Sequence, residues 1–303
     1  MGRTTLTCII VGLTLLGQAA GARAALNVLA CEPEWQALAQ ELGGEDVDTV
    51  SATTARQDPH HIEARPSLIA RARTADLLVC SGAELEVGWL PVLQRQSGNP
   101  AIRAGSPGEL FAAEQVARLE IPERVDRADG DVHASGNPHV HLDPHRVLTI
   151  ADALAARLAR LDPDNESRYQ SRLKEFRSSW QQAIDRWESE ARALAGTRVI
   201  VHHRNWSYLF DWLGIEIVGE LEPKPGLPPT TSHLTRLLQI VDDEEPRFIV
   251  HSNYQNPRAA AWLSERSGVP RLELPYTVGA YESTGGLFAL MDELVERLTR
   301  SPQ

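Results

Sequence analysis

The sequence lacks any apolar run long enough to cross a membrane. A spanning helix needs ~20 consecutive apolar residues, whereas the most apolar segment, Cys8 to Leu16, is much shorter. Arg3 precedes this segment and the small residues Ala-Arg-Ala (22–24) follow it, an arrangement typical of a cleavable secretory signal. We therefore predict a signal peptide over residues 1–24 and an exported mature chain that begins at Ala25.

Basic residues are also in short supply. Thirty lysines and arginines stand against 41 aspartates and glutamates, which gives a formal net charge of -11. Loss of Arg3 and Arg23 with the signal peptide makes the mature chain two units more negative. Such a chain is repelled by polyanions, so we expect no nucleic acid among its partners. A cation is a more suitable ligand than nucleic acid for a chain with this negative charge.

Cysteine is nearly absent, and its three positions are informative. Cys8 leaves with the predicted signal peptide, while Cys31 and Cys80 each end an apolar run, "LNVLAC" and "ADLLVC", of the kind found in buried parallel strands. In an exported protein this pair predicts a disulfide. Two buried free thiols are the alternative. The spacing matches neither a Cys-x-x-Cys motif nor a cysteine-based zinc site.

Apolar strand-like runs alternate with amphipathic helical segments along most of the chain. This alternation predicts α/β architecture with parallel sheets. A continuous helical pattern interrupts it in the middle of the chain, and the alternation then resumes with runs such as "TRVIVHH" and "PRFIVHS". We predict two lobes, each with a parallel sheet flanked by helices, over residues 25–160 and 197–303, linked by a long rigid helix over residues 161–196.

The histidines gather where strands are predicted to end, which is where open α/β sheets bind ligands. They follow predicted strands of both lobes and also occupy the segment "DVHASGNPHVHLDPH". The members of this set are His60, His61, His133, His139, His141, His145, His202, His203 and His251. Neutral imidazoles suit zinc, whereas manganese and magnesium prefer carboxylates and water. The residue types therefore favour a zinc site.

Three motifs in this order resemble a known family. "DPHHIEARPS" (58–67), "NPHVHLDP" (137–144) and "HRNWSYLFDWLG" (203–214) are similar to the ligand segments of the ZnuA-like periplasmic metal-binding proteins of ABC importers, the cluster A-I solute-binding family. "ELEPKPGLPPT" (220–230) and "LPYTVGAY" (274–281) resemble the downstream signature of a zinc-associated branch. The resemblance covers almost the whole mature chain.

The resemblance implies a set of metal ligands and a set of partners. Its ligands are His60, His139 and His203, and the spacing from His203 to Tyr208 selects His203 over His202. It also implies a monomeric periplasmic protein that captures zinc between its lobes and delivers it to a membrane permease. A periplasmic metallochaperone is a further candidate partner.

The sequence departs from the family pattern at two places. No aspartate follows the last predicted strand, in "PYTVGAYESTGG". The candidates for the fourth ligand are therefore water, Glu63, His251 and Glu282. His61 is expected either to support a ligand without touching the metal or to lie on the surface. A short acidic segment (127–137) stands in place of a long histidine-rich loop. Its residues Asp129, Asp131 and His133 could pass metal to the site, and a solvated loop is the alternative.

Three other functions compete with zinc delivery. Two of them, a manganese or iron receptor of the same family and a metal-dependent adhesin, share the fold. The third is a secreted zinc hydrolase, which also uses three protein ligands. A hydrolase needs a general base, but the sequence contains neither HExxH nor Gly-x-Ser-x-Gly. Glu63 alone lies near a predicted ligand. We therefore expect no enzymatic activity.

Overall fold

A computed structural model describes residues 25–124 and 133–300. The predicted signal peptide, residues 1–24, lies outside the described residues. Within the two described ranges, no helix combines the length and apolarity that crossing a bilayer requires.

The described residues form two sets of alternating strands and helices joined by a helical middle section. The first set is β1 (Leu26–Ala30), α1 (Pro33–Gly43), β2 (Val47–Ser51), α2 (Pro66–Thr74), β3 (Leu77–Cys80), α3 (Leu90–Ser97) and β4 (Glu109–Phe111). The middle section is α4 (Pro144–Leu161) and α5 (Glu166–Ala191). The second set is β5 (Arg198–Val201), α6 (Ser207–Leu213), β6 (Glu216–Glu220), α7 (Thr231–Glu244), β7 (Phe248–Ser252), α8 (Arg258–Ser267), β8 (Arg271–Leu274) and α9 (Leu287–Arg300).

Each set builds one parallel sheet with the same strand arrangement. The strand order is β2-β1-β3-β4 in the first sheet and β6-β5-β7-β8 in the second, and all the pairings are parallel. Strands such as β3 and β7 are buried along their whole length, as expected for parallel strands covered by helices on both faces. The predicted two-lobe α/β fold is confirmed.

The middle section contains two helices separated by a short turn. Helix α5 has 26 residues, so it is ~39 Å long at 1.5 Å per residue, and it lies within the range predicted for the linking helix. At the turn, Asp162 Oδ2 accepts hydrogen bonds from the Asn165 side-chain amide (2.7 Å) and the Tyr169 hydroxyl (2.9 Å). Pro163 follows Asp162 and cannot continue the backbone hydrogen bonding of α4.

Helix α5 belongs to the core of the molecule. Phe176 and Trp180 pack against Phe288 of α9, with ring centroids 5.9 and 4.7 Å away. A single apolar cluster contains residues from both sheets, including Val28 of β1 and Val199 of β5. The lobes are therefore joined by shared apolar packing as well as by the chain.

The predicted disulfide between Cys31 and Cys80 is present in the structure. Cys31 directly follows β1, Cys80 ends β3, and their Cα atoms are 4.7 Å apart. Because β1 and β3 are neighbours in the first sheet, the bond joins two strands at their carboxyl ends.

Candidate metal centre

The first candidate ligand, His60, is held by the loop that follows β2. The Trp89 indole N–H donates to the Pro59 carbonyl at 2.9 Å and fixes this loop to the first lobe. Asp58 Oδ1 then accepts hydrogen bonds from the His60 backbone N–H (3.0 Å) and from Nδ1 (2.8 Å). Burial opposes ionisation of Asp58, but the hydrogen bond and charge of His60 lower its pKa overall. An ionised Asp58 therefore holds the Nδ1 proton and leaves Nε2 of His60 available.

The second candidate ligand, His139, is buried before α4. Its backbone N–H donates to Asn137 Oδ1 at 3.0 Å, and its Nδ1 lies 2.7 Å from the hydroxyl of Tyr276. Its Nε2 is buried without a hydrogen-bond partner among the described residues. A buried nitrogen lone pair without a donor is unfavourable, whereas a metal ion would satisfy it.

The third candidate ligand, His203, comes from the second lobe. It follows β5, and its Nδ1 donates to Glu222 Oε2 at 2.8 Å. The neighbouring His202 lies farther from the same carboxylate, with Nε2 3.6 Å from Oε1. Glu222 therefore orients His203 as Asp58 orients His60.

Tyr208 ties the second lobe to the loop that carries His139. Its hydroxyl donates to the Asn137 carbonyl at 2.7 Å and accepts from the Leu119 N–H at 3.0 Å. Tyr208 lies on α6, five residues after His203. The spacing noted in the sequence thus places an aromatic residue behind the loop, where it can fix the distance between His139 and His203.

The structure brings the three candidate ligands into one cluster. The ring centroids are 6.0 Å apart for His60 and His139, 5.8 Å for His60 and His203, and 6.0 Å for His139 and His203. Each ring has its Nδ1 engaged, which leaves the three Nε2 atoms available. Zinc-binding histidines typically use this pattern, with the second nitrogen hydrogen-bonded to a carboxylate or another oxygen.

His133 joins this cluster. Its Nε2 lies 3.2 Å from Nε2 of His60, and ligand atoms of His60, His133 and His139 lie within 4.8 Å of one another. A cavity of about 240 Å³ is lined by His133, His139 and His203 together with Glu120 and other residues. The sequence analysis included His133 in the segment suggested to pass metal to the site and did not predict it as a ligand.

Two histidines of the cluster, His133 and His139, resist protonation. Burial, followed by the neighbouring imidazoles, lowers the pKa of His139 well below its usual value. The same causes lower the pKa of His133 to about 3. Near neutral pH both rings are therefore neutral, which is the form that binds metal ions.

The other candidates for a fourth ligand lie elsewhere. Glu63, His61 and Glu282 are exposed, and the buried His251 has its Nδ1 3.2 Å from the Ser252 carbonyl. Among the described residues, none of these four lines the cavity beside the cluster. Asp129 and Asp131 lie outside the described residues, so the suggested metal-passing role of that segment stays a prediction.

Sequence comparisons place the chain among metal-binding transport proteins. The family described as ZnuA, the periplasmic component A of a zinc-uptake complex, matches residues 28–301. The high-affinity zinc uptake protein ZnuA of Bacillus subtilis is 23% identical over 228 residues, which cover 74% of this chain and 69% of that protein. The manganese ABC transporter substrate-binding lipoprotein ScaA of Streptococcus gordonii is 25% identical, over 50% of this chain and 46% of that protein.

Solved structures show the same fold. A crystal structure of ZnuA matches with a TM-score of 0.75 and 21% identity, covering 90% of this chain and 99% of that one. A manganese-bound periplasmic metal-binding protein from Candidatus Liberibacter asiaticus matches with a TM-score of 0.73 and 14% identity, covering 90% of this chain and 98% of that one.

Proposed function

The chain belongs to the ZnuA family of periplasmic metal-binding proteins of ABC importers, and from this premise we propose that it captures Zn²⁺ between its two lobes and delivers it to a membrane permease. In this proposal His60, His139 and His203 are metal ligands, and zinc is the transported substrate. The observation that carries the proposal is the set of three clustered imidazoles whose Nδ1 atoms are each engaged by Asp58, Tyr276 or Glu222.

The proposal favours zinc over manganese because of the ligand atoms. The cluster offers imidazole nitrogens, and the carboxylates of Asp58 and Glu222 are occupied by the Nδ1 atoms of His60 and His203. Nitrogen ligands suit zinc, whereas manganese sites lean on carboxylate and water oxygens. Relatives are named for both metals, so a manganese receptor is the alternative that the experiment has to separate from a zinc receptor.

We propose that the protein releases zinc to the permease because its ligands are divided between the two lobes. His60 and His139 come from the first lobe and its connection to α4, while His203 and Glu222 come from the second lobe. A permease that draws the second lobe away removes one ligand and lowers the affinity for the metal, without any covalent step. The lobe boundaries near residues 160 and 196, the monomeric state and an accessory metallochaperone remain parts of this proposal.

Metal analysis of the mature chain, purified without a histidine tag, tests the proposal. We expect one zinc ion per chain and a much higher affinity for zinc than for manganese in competition with a chromophoric chelator. His139→Ala should weaken zinc binding strongly, whereas His145→Ala should not, because His145 is half exposed and pairs with Glu188. A preference for manganese, or wild-type zinc binding by His139→Ala, would overturn the proposal.

A further inference from the structure

We propose that His133 is the fourth protein ligand, so that the metal ion is held by four imidazoles. This inference rests on the zinc site proposed above and adds a ligand from a segment that precedes His139 by six residues. It predicts a site closed to water rather than one with a water molecule as the fourth ligand.

The position of His133 relative to His60 carries the inference. Their Nε2 atoms are 3.2 Å apart, close to the ~3.4 Å that separates two nitrogens bound to one tetrahedral zinc ion at ~2.0 to 2.1 Å. The His133 and His139 ring centroids are 6.3 Å apart, similar to the spacing among the other three histidines. His133 therefore approaches the same point in space as the ligands already assigned.

A second observation concerns hydrogen-bond roles. The Nδ1 proton of His60 is directed at Asp58, so a neutral His60 presents a lone pair at Nε2. The Ala83 backbone also forms a hydrogen bond with the His133 ring. Nε2 of His133 lies 3.2 Å from Nε2 of His60, so a metal ion between the two nitrogens could use both as ligands.

The backbone around His133 is fastened to the first lobe. Ser135 donates to the Glu84 carboxylate through its backbone N–H (3.0 Å) and its hydroxyl (2.6 Å). The Gly136 N–H donates to the His133 carbonyl at 3.1 Å. Gly136 has a φ of 101°, and a Cβ atom there would lie 2.8 Å from the Leu119 carbonyl oxygen, so this tight turn requires glycine.

The partners that fasten His133 lie on an unusual turn after β3. Ala83 and Glu84 have φ values of 47° and 63°, a left-handed conformation that non-glycine residues rarely adopt. Such conformations persist where surrounding structure enforces them, and they cluster at functional sites. Here the turn presents the Ala83 backbone and the Glu84 carboxylate to the segment 133–135. We infer that it positions His133 beside His60.

Four imidazoles would also sharpen the choice of metal. A closed tetrahedral nitrogen site matches zinc, while manganese would lack the oxygen ligands and open positions that it prefers. Replacing His133 by a carboxylate should therefore shift the preference towards manganese without removing a ligand.

The experiment compares His133→Ala, His133→Asp and the control His145→Ala in the full mature chain loaded with zinc or cobalt. X-ray absorption at the zinc edge should show four imidazoles in the wild type and three in His133→Ala, with an oxygen ligand added. Zinc affinity should fall at least 100-fold in His133→Ala, and the zinc-to-manganese affinity ratio should fall at least tenfold in His133→Asp. His145→Ala should match the wild type in both measurements.

The outcomes separate this inference from the proposed function. If the wild type binds zinc and His139→Ala does not, but His133→Ala keeps both the wild-type affinity and the wild-type absorption spectrum, the fourth-ligand assignment is wrong and the zinc site stands. If the wild type shows three imidazoles and one oxygen, the assignment is also wrong. If the wild type fails to bind zinc, the proposed function itself falls.

Discussion

Asp58 accepts a hydrogen bond from Nδ1 of His60 at 2.8 Å, with only Pro59 between them in the chain. The same carboxylate oxygen accepts the His60 backbone N–H. Asp58 therefore fixes both the rotamer and the tautomer of His60. In metal sites, residues that orient a histidine in this way contribute to affinity although they do not touch the metal.

Replacing Asp58 by asparagine should therefore weaken zinc binding without abolishing it. The amide oxygen can still accept the Nδ1 proton but carries no charge, so we expect a loss of about 10 to 100-fold in affinity. Chelator competition measures this loss. Asp48→Asn, an exposed aspartate on β2, serves as the control, and equal affinities for the two variants would show that Asp58 does not orient the ligand.

The adjacent histidines of the same loop should differ sharply. His60 has its side chain 11% exposed and faces the cluster, whereas His61 is exposed, with ring centroids 6.2 Å apart. His60→Ala should lower zinc affinity by more than 100-fold, because it removes a ligand, and His61→Ala should lower it much less. His203→Ala should resemble His60→Ala.

Chelator competition, with folding checked by circular dichroism, compares these variants. A greater loss in His61→Ala than in His60→Ala would mean that the loop presents the other imidazole to the metal. Wild-type affinity in His203→Ala would remove the second lobe from the site.

The fold could be predicted from local patterns because its strands are strongly marked. Runs such as "ADLLVC" and "PRFIVHS" are apolar, short and bounded by helical segments, which is the pattern of buried parallel strands. Strand β4 escaped prediction because it has only three residues, Glu109–Phe111, too few to show a period. The start of α5 was marked in the sequence by the Asp and Asn cap candidates of "DPDN" (162–165), and the structure places Asp162 at that turn, where it accepts hydrogen bonds from Asn165 and Tyr169.

The candidate site was predictable only in part, since it depends on contacts between distant segments. Histidines at strand ends pointed to the pairs His60 and His61, and His202 and His203, while the family resemblance implied His60, His139 and His203 as the ligands. The role of Tyr276 escaped prediction because its hydroxyl meets His139 from 137 residues away. His133 was not predicted as a ligand because its position depends on Ala83 and Glu84, about fifty residues earlier in the chain.

The disulfide should contribute strongly to the stability of the first lobe. Cys31 and Cys80 are 49 residues apart in sequence, and closing a loop of that length stabilises by ~4 kcal/mol in the chain-entropy model. The double variant Cys31→Ala/Cys80→Ala should therefore lose about 4 kcal/mol in its free energy of unfolding, measured in urea. Thiol titration of denatured wild type should find no free thiol before reduction and two after it. Two free thiols before reduction would contradict the prediction.

Glu32 and Glu86 form a buried carboxyl pair. Both are at most 2% exposed, and both accept hydrogen bonds from the Ser81 backbone N–H, at 3.2 and 2.7 Å. Burial, followed by the charge of Glu86, raises the pKa of Glu32 well above its usual value. Burial also raises the pKa of Glu86 to about 7. The folded protein therefore retains protons on this pair that the unfolded chain has released.

This pair should make metal-free protein less stable as the pH rises. Because the folded-state pKa values are raised, the contribution is full below pH ~4.5, where unfolded glutamates are protonated, and is lost as the pH rises through about 7. Glu32→Gln keeps a neutral hydrogen-bonding side chain and relieves the charge repulsion. Between pH 5 and 8, the free energy of unfolding in urea should therefore fall more for chelator-treated wild type than for this variant. The cluster histidines are shared by both proteins, so they cancel in the comparison. Parallel pH profiles would show that the buried carboxyls do not retain a proton.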